Sequence, residues 1–134
     1  MSIRAFVDTN VIVYQYTHDE RGITSEALFE QFDICISVQV LNEFTDVARK
    51  KLKFSWAKID DAVDAVSEAS ALIVSLTIAE HHKARELSAK YQLSIYGACI
   101  IACALKAGCD TLFSEDMHDG MVIENRLTIR NPFA

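Results

Sequence analysis

The sequence lacks an apolar run long enough to cross a membrane. Its least charged stretch, around Ile95 to Leu105, falls well short of the roughly 18 to 20 residues that a bilayer-spanning helix needs. The start of the chain leads directly into Ile3-Arg4-Ala5-Phe6-Val7-Asp8, without the basic, apolar and small-residue segments of a secretory signal. We therefore expect no membrane segment and a cytoplasmic location.

An excess of positive charge is missing as well. The chain has 13 Lys and Arg residues against 19 Asp and Glu residues, for a formal net charge of −6. Proteins that coat nucleic acid depend on many contacts between basic side chains and phosphates. Any nucleic-acid chemistry in this chain must therefore be confined to a local site.

Cysteine pairs with the usual metal-binding spacing are also absent. Cys35, Cys99, Cys103 and Cys109 form no C-x-x-C pair, and Cys99 and Cys103 lie one helical turn apart in a strongly apolar segment. Buried free thiols explain this pattern better than a zinc site does.

What the chain does contain is the pattern of one α/β domain, residues 1–134. About half of its residues are hydrophobic, which is enough for a substantial core. Four β-rich runs are each followed by a stretch with helical spacing, at Ile3–Val7, Ile34–Ser37, Leu72–Ser75 and Thr111–Ser114. This repeated order predicts three layers, with helices on both faces of a mainly parallel sheet. With a further short strand at Leu127–Arg130, the sheet would have four to five strands.

Several helix ends can be predicted from the sequence. Gly22, at the end of a polar turn, is expected to separate two early helical segments, Val11–Thr17 and Ser25–Phe32. Thr77 and Glu80 match a capping box, which predicts a helix start. The segment Ala98–Ala107 is apolar nearly all round, so it should form the most buried helix and end at Gly108.

Three acidic residues are candidates for a site at one edge of this sheet. Asp8 directly follows the first strand, and Asp116 follows the run Thr111–Ser114 within two residues. Open α/β sheets bind their ligands at the carboxyl ends of the strands, where these two acids fall. Glu43 lies on a helix, at the border of its apolar stripe, and can point along the same edge.

Each acid also has a purely structural interpretation. Asp8 could be a helix N-cap, Asp116 a turn residue and Glu43 a solvated helix residue. Taken together, they are better explained as a cluster, because neighbouring carboxylates repel one another unless cations intervene. Such a cluster favours Mg²⁺ or Mn²⁺, and two of these ions can position a phosphate for in-line displacement. The sequence thus points to nuclease chemistry.

Five short segments occur in a recognisable order: Phe6-Val7-Asp8-Thr9-Asn10-Val11, Ser37-Val38-Gln39-Val40-Leu41-Asn42-Glu43-Phe44, Leu93-Ser94-Ile95-Tyr96-Gly97-Ala98, Ser114-Glu115-Asp116-Met117 and Asn131-Pro132-Phe133. They give the chain, over nearly its whole length, a resemblance to a PIN domain of the VapC-like toxin group. The order of the segments is that of the family. It implies a PIN-like three-layer sandwich and a Mg²⁺- or Mn²⁺-dependent endoribonuclease. It also implies an antitoxin partner and a homodimer.

The resemblance assigns roles to particular residues. It makes Asp8, Glu43 and Asp116 the catalytic, metal-ligating acids. The supporting residues it implies are Asn10, Ser114 and Asp119.

One position departs from the family pattern. Where the family usually reads Ser-x-Tyr-Asp-Ala, this chain has Gly97, so one of four acids is missing. A carboxylate there would suit the third position of a helix capped by Ser94 and would reach a metal, whereas glycine does neither. We expect impaired catalysis, either in a naturally degenerate member or through an inactivating change in an active toxin, and favour the latter.

Residues 49–56 form the only basic cluster, and it includes the aromatic residues Phe54 and Trp56. These aromatic residues could stack on bases, as in proteins that bind single strands. The interpretation we favour is a solvated helix end in which both aromatic side chains pack inward.

Other classes of protein remain as alternatives. The haloacid-dehalogenase pattern requires a second Asp two residues after the first, where this chain has Asn10. A response-regulator receiver requires an acidic pair and a late lysine, neither of which is evident. The non-enzymatic alternative is a catalytically inactive PIN-like module that binds RNA or an antitoxin.

Overall fold

A computed structural model describes residues 3–134, which form a three-layer α/β/α domain around a six-stranded sheet. The strands are β1 (Arg4–Val7), β2 (Asp33–Ser37), β3 (Leu72–Val74), β4 (Thr111–Phe113), β5 (Val122–Ile123) and β6 (Leu127–Arg130). Their order across the sheet is β3-β2-β1-β4-β6-β5, and all neighbouring pairs are parallel except β5 and β6. The predicted mainly parallel sheet with helices on its faces is confirmed.

Six α-helices connect the strands. They are α1 (Thr9–Val13), α2 (Glu20–Gln31), α3 (Val38–Lys50), α4 (Trp56–Ala69), α5 (Ile78–Tyr91) and α6 (Ile95–Lys106), with a 3-10 turn at Tyr14–Tyr16. Helix α1 packs against α2 and α3, α3 packs against α4, and α5 packs against α6. No helix within residues 3–134 combines the length and the apolar character that a bilayer span requires.

Most predicted elements are confirmed within a residue or two at their ends. Helix α6 is the most buried helix, with every residue from Ala98 to Leu105 in the core, and Gly108 follows it at φ +76°. At the start of α5, Oε1 of Glu80 accepts hydrogen bonds from the Thr77 amide at 2.8 Å and from the Thr77 hydroxyl at 2.6 Å. The four cysteines are buried free thiols, as expected.

The prediction that Gly22 breaks a helix is wrong. Gly22 lies in the first turns of α2, which is capped at Asp19. A Cβ atom at position 22 would lie 2.7 Å from the carbonyl oxygen of Tyr14, so the glycine allows the 3-10 turn to approach α2 closely. The glycine serves a tertiary contact and does not interrupt the helix.

The sheet has one strand more than the four to five predicted. The additional strand, β5, has two residues and pairs antiparallel with β6 through a turn at Glu124 and Asn125, whose φ angles are 51° and 56°. Two consecutive positive φ angles are typical of a tight hairpin turn. A two-residue strand is too short to produce an alternating pattern in the sequence.

Candidate metal centre

Asp8 lies at the carboxyl end of β1, in the middle of the sheet. Its backbone amide donates to the carbonyl of Phe113 at 2.9 Å, which extends the pairing of β1 with β4. Its carboxylate accepts from the Thr9 amide at 2.7 Å and from the Ser114 hydroxyl at 2.8 Å. Asp8 is the N-cap of α1, and it is also a charged group that is only 7% exposed.

The environment of Asp8 raises the pKa of its carboxyl group. Burial is the largest cause, and the negative charges of Glu43 and Asp116 act in the same direction. The hydrogen bonds from Ser114 and Thr9 favour the charged form and oppose the shift. A bound cation would offset both the cost of burying the Asp8 charge and its repulsion by the other two carboxylates.

Glu43 projects from the second turn of α3 towards Asp8. Its Oε2 accepts from the Thr9 hydroxyl at 2.8 Å, and its Oε1 accepts from Nε2 of the Gln39 side chain at 2.9 Å. The same Gln39 nitrogen donates to the carbonyl of Tyr96 at 3.3 Å. Glu43 is therefore held by Thr9 and by Gln39, and Gln39 links it to the first turn of α6.

Asp116 lies in the loop after β4 and is fixed by residues from α1. Its Oδ2 accepts from Nδ2 of Asn10 at 3.0 Å, while Oδ1 of Asn10 accepts from the Glu115 amide at 3.2 Å. The Asp116 amide donates to the Ser114 hydroxyl at 3.3 Å. The Tyr14 hydroxyl also donates to Glu115, which anchors the same loop.

The three acids line one cleft of about 390 Å³. The residues around it are Asp8, Thr9, Asn10, Val13, Tyr14, Glu43, Asp46, Val47, Lys51 and Asp116. Ser114 does not line the cleft but donates a hydrogen bond to Asp8. Asp119 is placed elsewhere, because its Oδ1 accepts from the amide of Asn131 at 2.8 Å and ties the Asp116 loop to the C-terminal segment.

Gly97 lies in the first turn of α6, next to the residue that Gln39 contacts. Its amide donates to the hydroxyl of Ser94 at 3.1 Å, so Ser94 is the N-cap, as the sequence predicts. A Cβ atom at position 97 would lie 3.3 Å from Ser94 Oγ and 3.6 Å from Met117 Cε. Both neighbours are side-chain atoms, so a larger residue needs only a small adjustment of Ser94.

The chemistry of these residues fits a hard divalent cation. The cleft offers carboxylate, amide and hydroxyl oxygens, which Mg²⁺ and Mn²⁺ prefer, and no thiol or imidazole lines it. Within residues 3–134, no three or more His, Cys, Asp or Glu side chains lie close enough together to hold a metal ion. Thr9, Gln39 and Asn10 instead hold the carboxylates of Glu43 and Asp116, and Gly97 contributes no ligand.

Sequence reasoning missed the roles of Gln39, which holds Glu43, and of Thr9 and Lys51, which line the cleft. Gln39 lies four positions before Glu43 on α3, a spacing that places side chains on one face of a helix and could have revealed the contact. Thr9 and Lys51 had no comparable signal. Their positions depend on how α1 packs against α3.

The PIN domain family model matches residues 5–118, which is most of the chain. No curated protein matches the sequence. Several solved structures have a similar fold, although their sequences have diverged.

A toxin–antitoxin complex from Klebsiella pneumoniae shares 18% identity, with a TM-score of 0.69 over 96% of this chain and 97% of that one. VapBC2 from Rickettsia felis, bound to a DNA fragment of its promoter, shares 20% identity, with a TM-score of 0.69 over 96% and 98%. VapC20 from Mycobacterium tuberculosis, described as a toxin that cleaves the sarcin–ricin loop, shares 20% identity, with a TM-score of 0.66 over 84% and 91%. At these identities, the likeness concerns the fold alone.

Proposed function

Because the chain belongs to the PIN domain family, we propose that it is a metal-dependent endoribonuclease whose activity is impaired by Gly97. The observation that supports this most strongly is that Asp8, Glu43 and Asp116, from three separate elements, line one cleft. A buried carboxylate with a raised pKa beside two further acids is typical of a site that requires a cation. RNA phosphodiester bonds are the substrate that we propose.

In this proposal, Asp8, Glu43 and Asp116 hold Mg²⁺ or Mn²⁺. When bound, such a cation activates water and stabilises the leaving oxygen of an in-line displacement at phosphorus. Ser114 orients the Asp8 carboxylate, and Asn10 orients that of Asp116. Both acids are thereby prevented from turning away from the cleft.

We further propose that the chain is the toxin of a toxin–antitoxin pair. The solved structures with this fold include toxin–antitoxin complexes from Klebsiella pneumoniae and Rickettsia felis. VapC20, with a similar fold, is described as a toxin that cleaves the sarcin–ricin loop. By analogy, this chain would bind a cognate antitoxin, form a homodimer and act in the cytoplasm.

Gly97 supports a second candidate function, a catalytically inactive PIN-like module that binds RNA or an antitoxin. Glycine supplies no carboxylate in the first turn of α6, where Gln39 links Tyr96 to Glu43. The remaining acids and their hydrogen-bond partners are all present. This retention of the rest of the site favours an impaired enzyme over a binding module.

Cleavage of a panel of structured RNAs distinguishes the two functions. We compare the parent chain, Gly97→Asp, the uncharged match Gly97→Asn and the double variant Asp8→Asn/Gly97→Asp, each with Mn²⁺ and with EDTA. We expect Gly97→Asp to raise Mn²⁺-dependent cleavage by orders of magnitude, Gly97→Asn to leave it low and the double variant to be inactive. If the restored protein cleaves no RNA in the panel, the nuclease proposal is wrong.

A further inference from the structure

The segment of residues 49–58, here called the basic lip, carries an unusual concentration of positive charge. It holds five of the 13 Lys and Arg residues of the chain and none of the 19 Asp and Glu residues. The rest of the molecule is therefore strongly acidic. A basic segment of this kind attracts polyanions.

The basic lip adjoins the acid cleft. Lys51 caps the C-terminus of α3, and both Lys51 and Glu43 line the cleft. They are eight residues apart, which corresponds to about 12 Å along a helix. A strand whose phosphate lies at the acids would therefore pass close to Lys51.

Two cations of the basic lip are free to bind a ligand. Lys50 pairs with Asp46 at 3.0 Å, and Arg49 donates to the carbonyl of Phe54 at 3.0 Å. The amine of Lys58 lies over the Phe54 ring, 4.0 Å from its centroid. In the part of the chain that the structure describes, neither Lys51 nor Lys53 has an acidic partner within 4.0 Å, and both are exposed.

Trp56 adds an exposed aromatic ring to the basic lip. The expectation that both aromatic residues pack inward is correct for Phe54, which is buried, but wrong for Trp56, which is 57% exposed. The Arg49 guanidinium lies over the Trp56 ring, 5.2 Å from its centroid. An indole beside cations is the combination on which unpaired bases stack.

We propose that the basic lip binds single-stranded RNA and guides it into the acid cleft, an inference that rests on the proposed function. Lys51 and Lys53 contact backbone phosphates next to the scissile one, and Trp56 stacks on a base. An acidic protein segment would use the two amines but would leave the exposed indole without a partner. RNA accounts for both features.

The test measures binding to a fluorescein-labelled oligouridine 12-mer by anisotropy at several salt concentrations, in EDTA to prevent cleavage. We compare the parent chain with Lys51→Ala, Lys53→Ala and Trp56→Ala. Lys90→Ala is the matched control, since Lys90 is an exposed lysine in the last turn of α5 and does not line the cleft.

Each lysine variant should lower the affinity and reduce the slope of log K against log salt by about 0.7, the contribution of one phosphate contact to a single strand. Trp56→Ala should weaken binding about 5- to 150-fold with the slope unchanged, because stacking carries no net charge. Lys90→Ala should match the parent.

Two results would overturn the proposal. The first is binding by the Lys51→Ala/Lys53→Ala variant with the affinity and slope of the parent. The second is an oligoglutamate 12-mer that competes as well as oligouridine does, which would indicate an acidic protein partner.

The same lysine pair in the Gly97→Asp background separates this proposal from the nuclease proposal. Cleavage by Gly97→Asp with an unchanged KM after loss of both lysines would contradict only the basic lip. Binding of RNA through the basic lip without cleavage by Gly97→Asp would contradict only the nuclease.

Discussion

The hydroxyl of Ser114 donates a 2.8 Å hydrogen bond to Oδ2 of Asp8, joining two buried side chains that lie 106 residues apart in the sequence. The same hydroxyl accepts from the amide of Asp116 at 3.3 Å. One small side chain at the end of β4 thus connects the acid that follows β1 with the acid of the next loop. The geometry of the two carboxylates depends on this contact.

Loss of the Ser114 hydroxyl should destabilise the domain. In Ser114→Ala, the buried carboxylate of Asp8 loses a donor, and we expect the free energy of unfolding in urea to fall by about 1–3 kcal/mol. Ser67→Ala is the matched control, because that hydroxyl donates to the carbonyl of Val63 within α4. Its effect should stay within about 0.5 kcal/mol. Equal losses of stability in the two variants would show that the hydrogen bond to the Asp8 carboxylate contributes no more than an ordinary helix contact.

Removing the charge of Asp8 should stabilise the metal-free protein. Asparagine caps a helix about as well as aspartate, so Asp8→Asn keeps the cap of α1 and removes a buried charge beside Glu43 and Asp116. We expect a higher urea midpoint in EDTA at pH 7.

Asp19→Asn is the matched N-cap variant. The Arg21 guanidinium holds the pKa of the Asp19 carboxyl group below its usual value, so loss of that charge should not stabilise. A lower midpoint for Asp8→Asn than for the parent would mean that Asp8 is only a structural cap.

Alanine at two helical glycines should change stability in opposite directions. Gly22→Ala places a Cβ atom 2.7 Å from a backbone oxygen of Tyr14, and the resulting overpacking should cost about 1–3 kcal/mol. Gly97→Ala meets only side-chain atoms at 3.3 and 3.6 Å and should gain about 0.5–1 kcal/mol from reduced backbone entropy. Urea unfolding of both variants measures the pair, and effects of the same sign would contradict the account of these two positions.

Glu80 should contribute to stability at neutral pH and lose that contribution in acid. Hydrogen bonds from the Thr77 hydroxyl and amide, with the nearby Lys106 ammonium, lower the pKa of Glu80 to about 2 from its ordinary value of 4.5. Because the folded-state pKa is the lower one, the contribution is complete above about pH 4.5 and disappears as the pH falls towards 2.

Glu80→Gln isolates this effect, because the glutamine oxygen can still accept from the Thr77 amide while the charge is lost. It should be less stable than the parent at pH 7 and equally stable near pH 2 in urea titrations. A difference that stays constant across this range would rule out the ionised form of Glu80 as its source.

The sequence predicts those parts of the site that depend on local pattern. Asp8 and Asp116 could be placed because each follows a recognisable strand of a parallel sheet. Ser94 could be assigned as an N-cap because it comes just before a recognisable helical segment. Gly22 could not be interpreted correctly, because its role depends on a backbone approach by Tyr14 that leaves no local signal.

Longer-range contacts also decide which candidates reach the cleft. Asp119 was expected to support the acids, yet its hydrogen bond to Asn131 depends on the path of the C-terminal segment. Trp56 was expected to pack inward, yet it is 57% exposed. Neither outcome is encoded in hydrophobic periodicity.

The claim that the acid cleft is a metal site is tested most directly by calorimetric titration of Mn²⁺ into the parent chain at neutral pH. Asp8→Asn and Asp119→Asn are titrated alongside it. We expect the parent and Asp119→Asn to bind Mn²⁺ with the same Kd and Asp8→Asn to lose this binding. Binding by Asp8→Asn equal to that of the parent, or no binding by the parent, would contradict the claim.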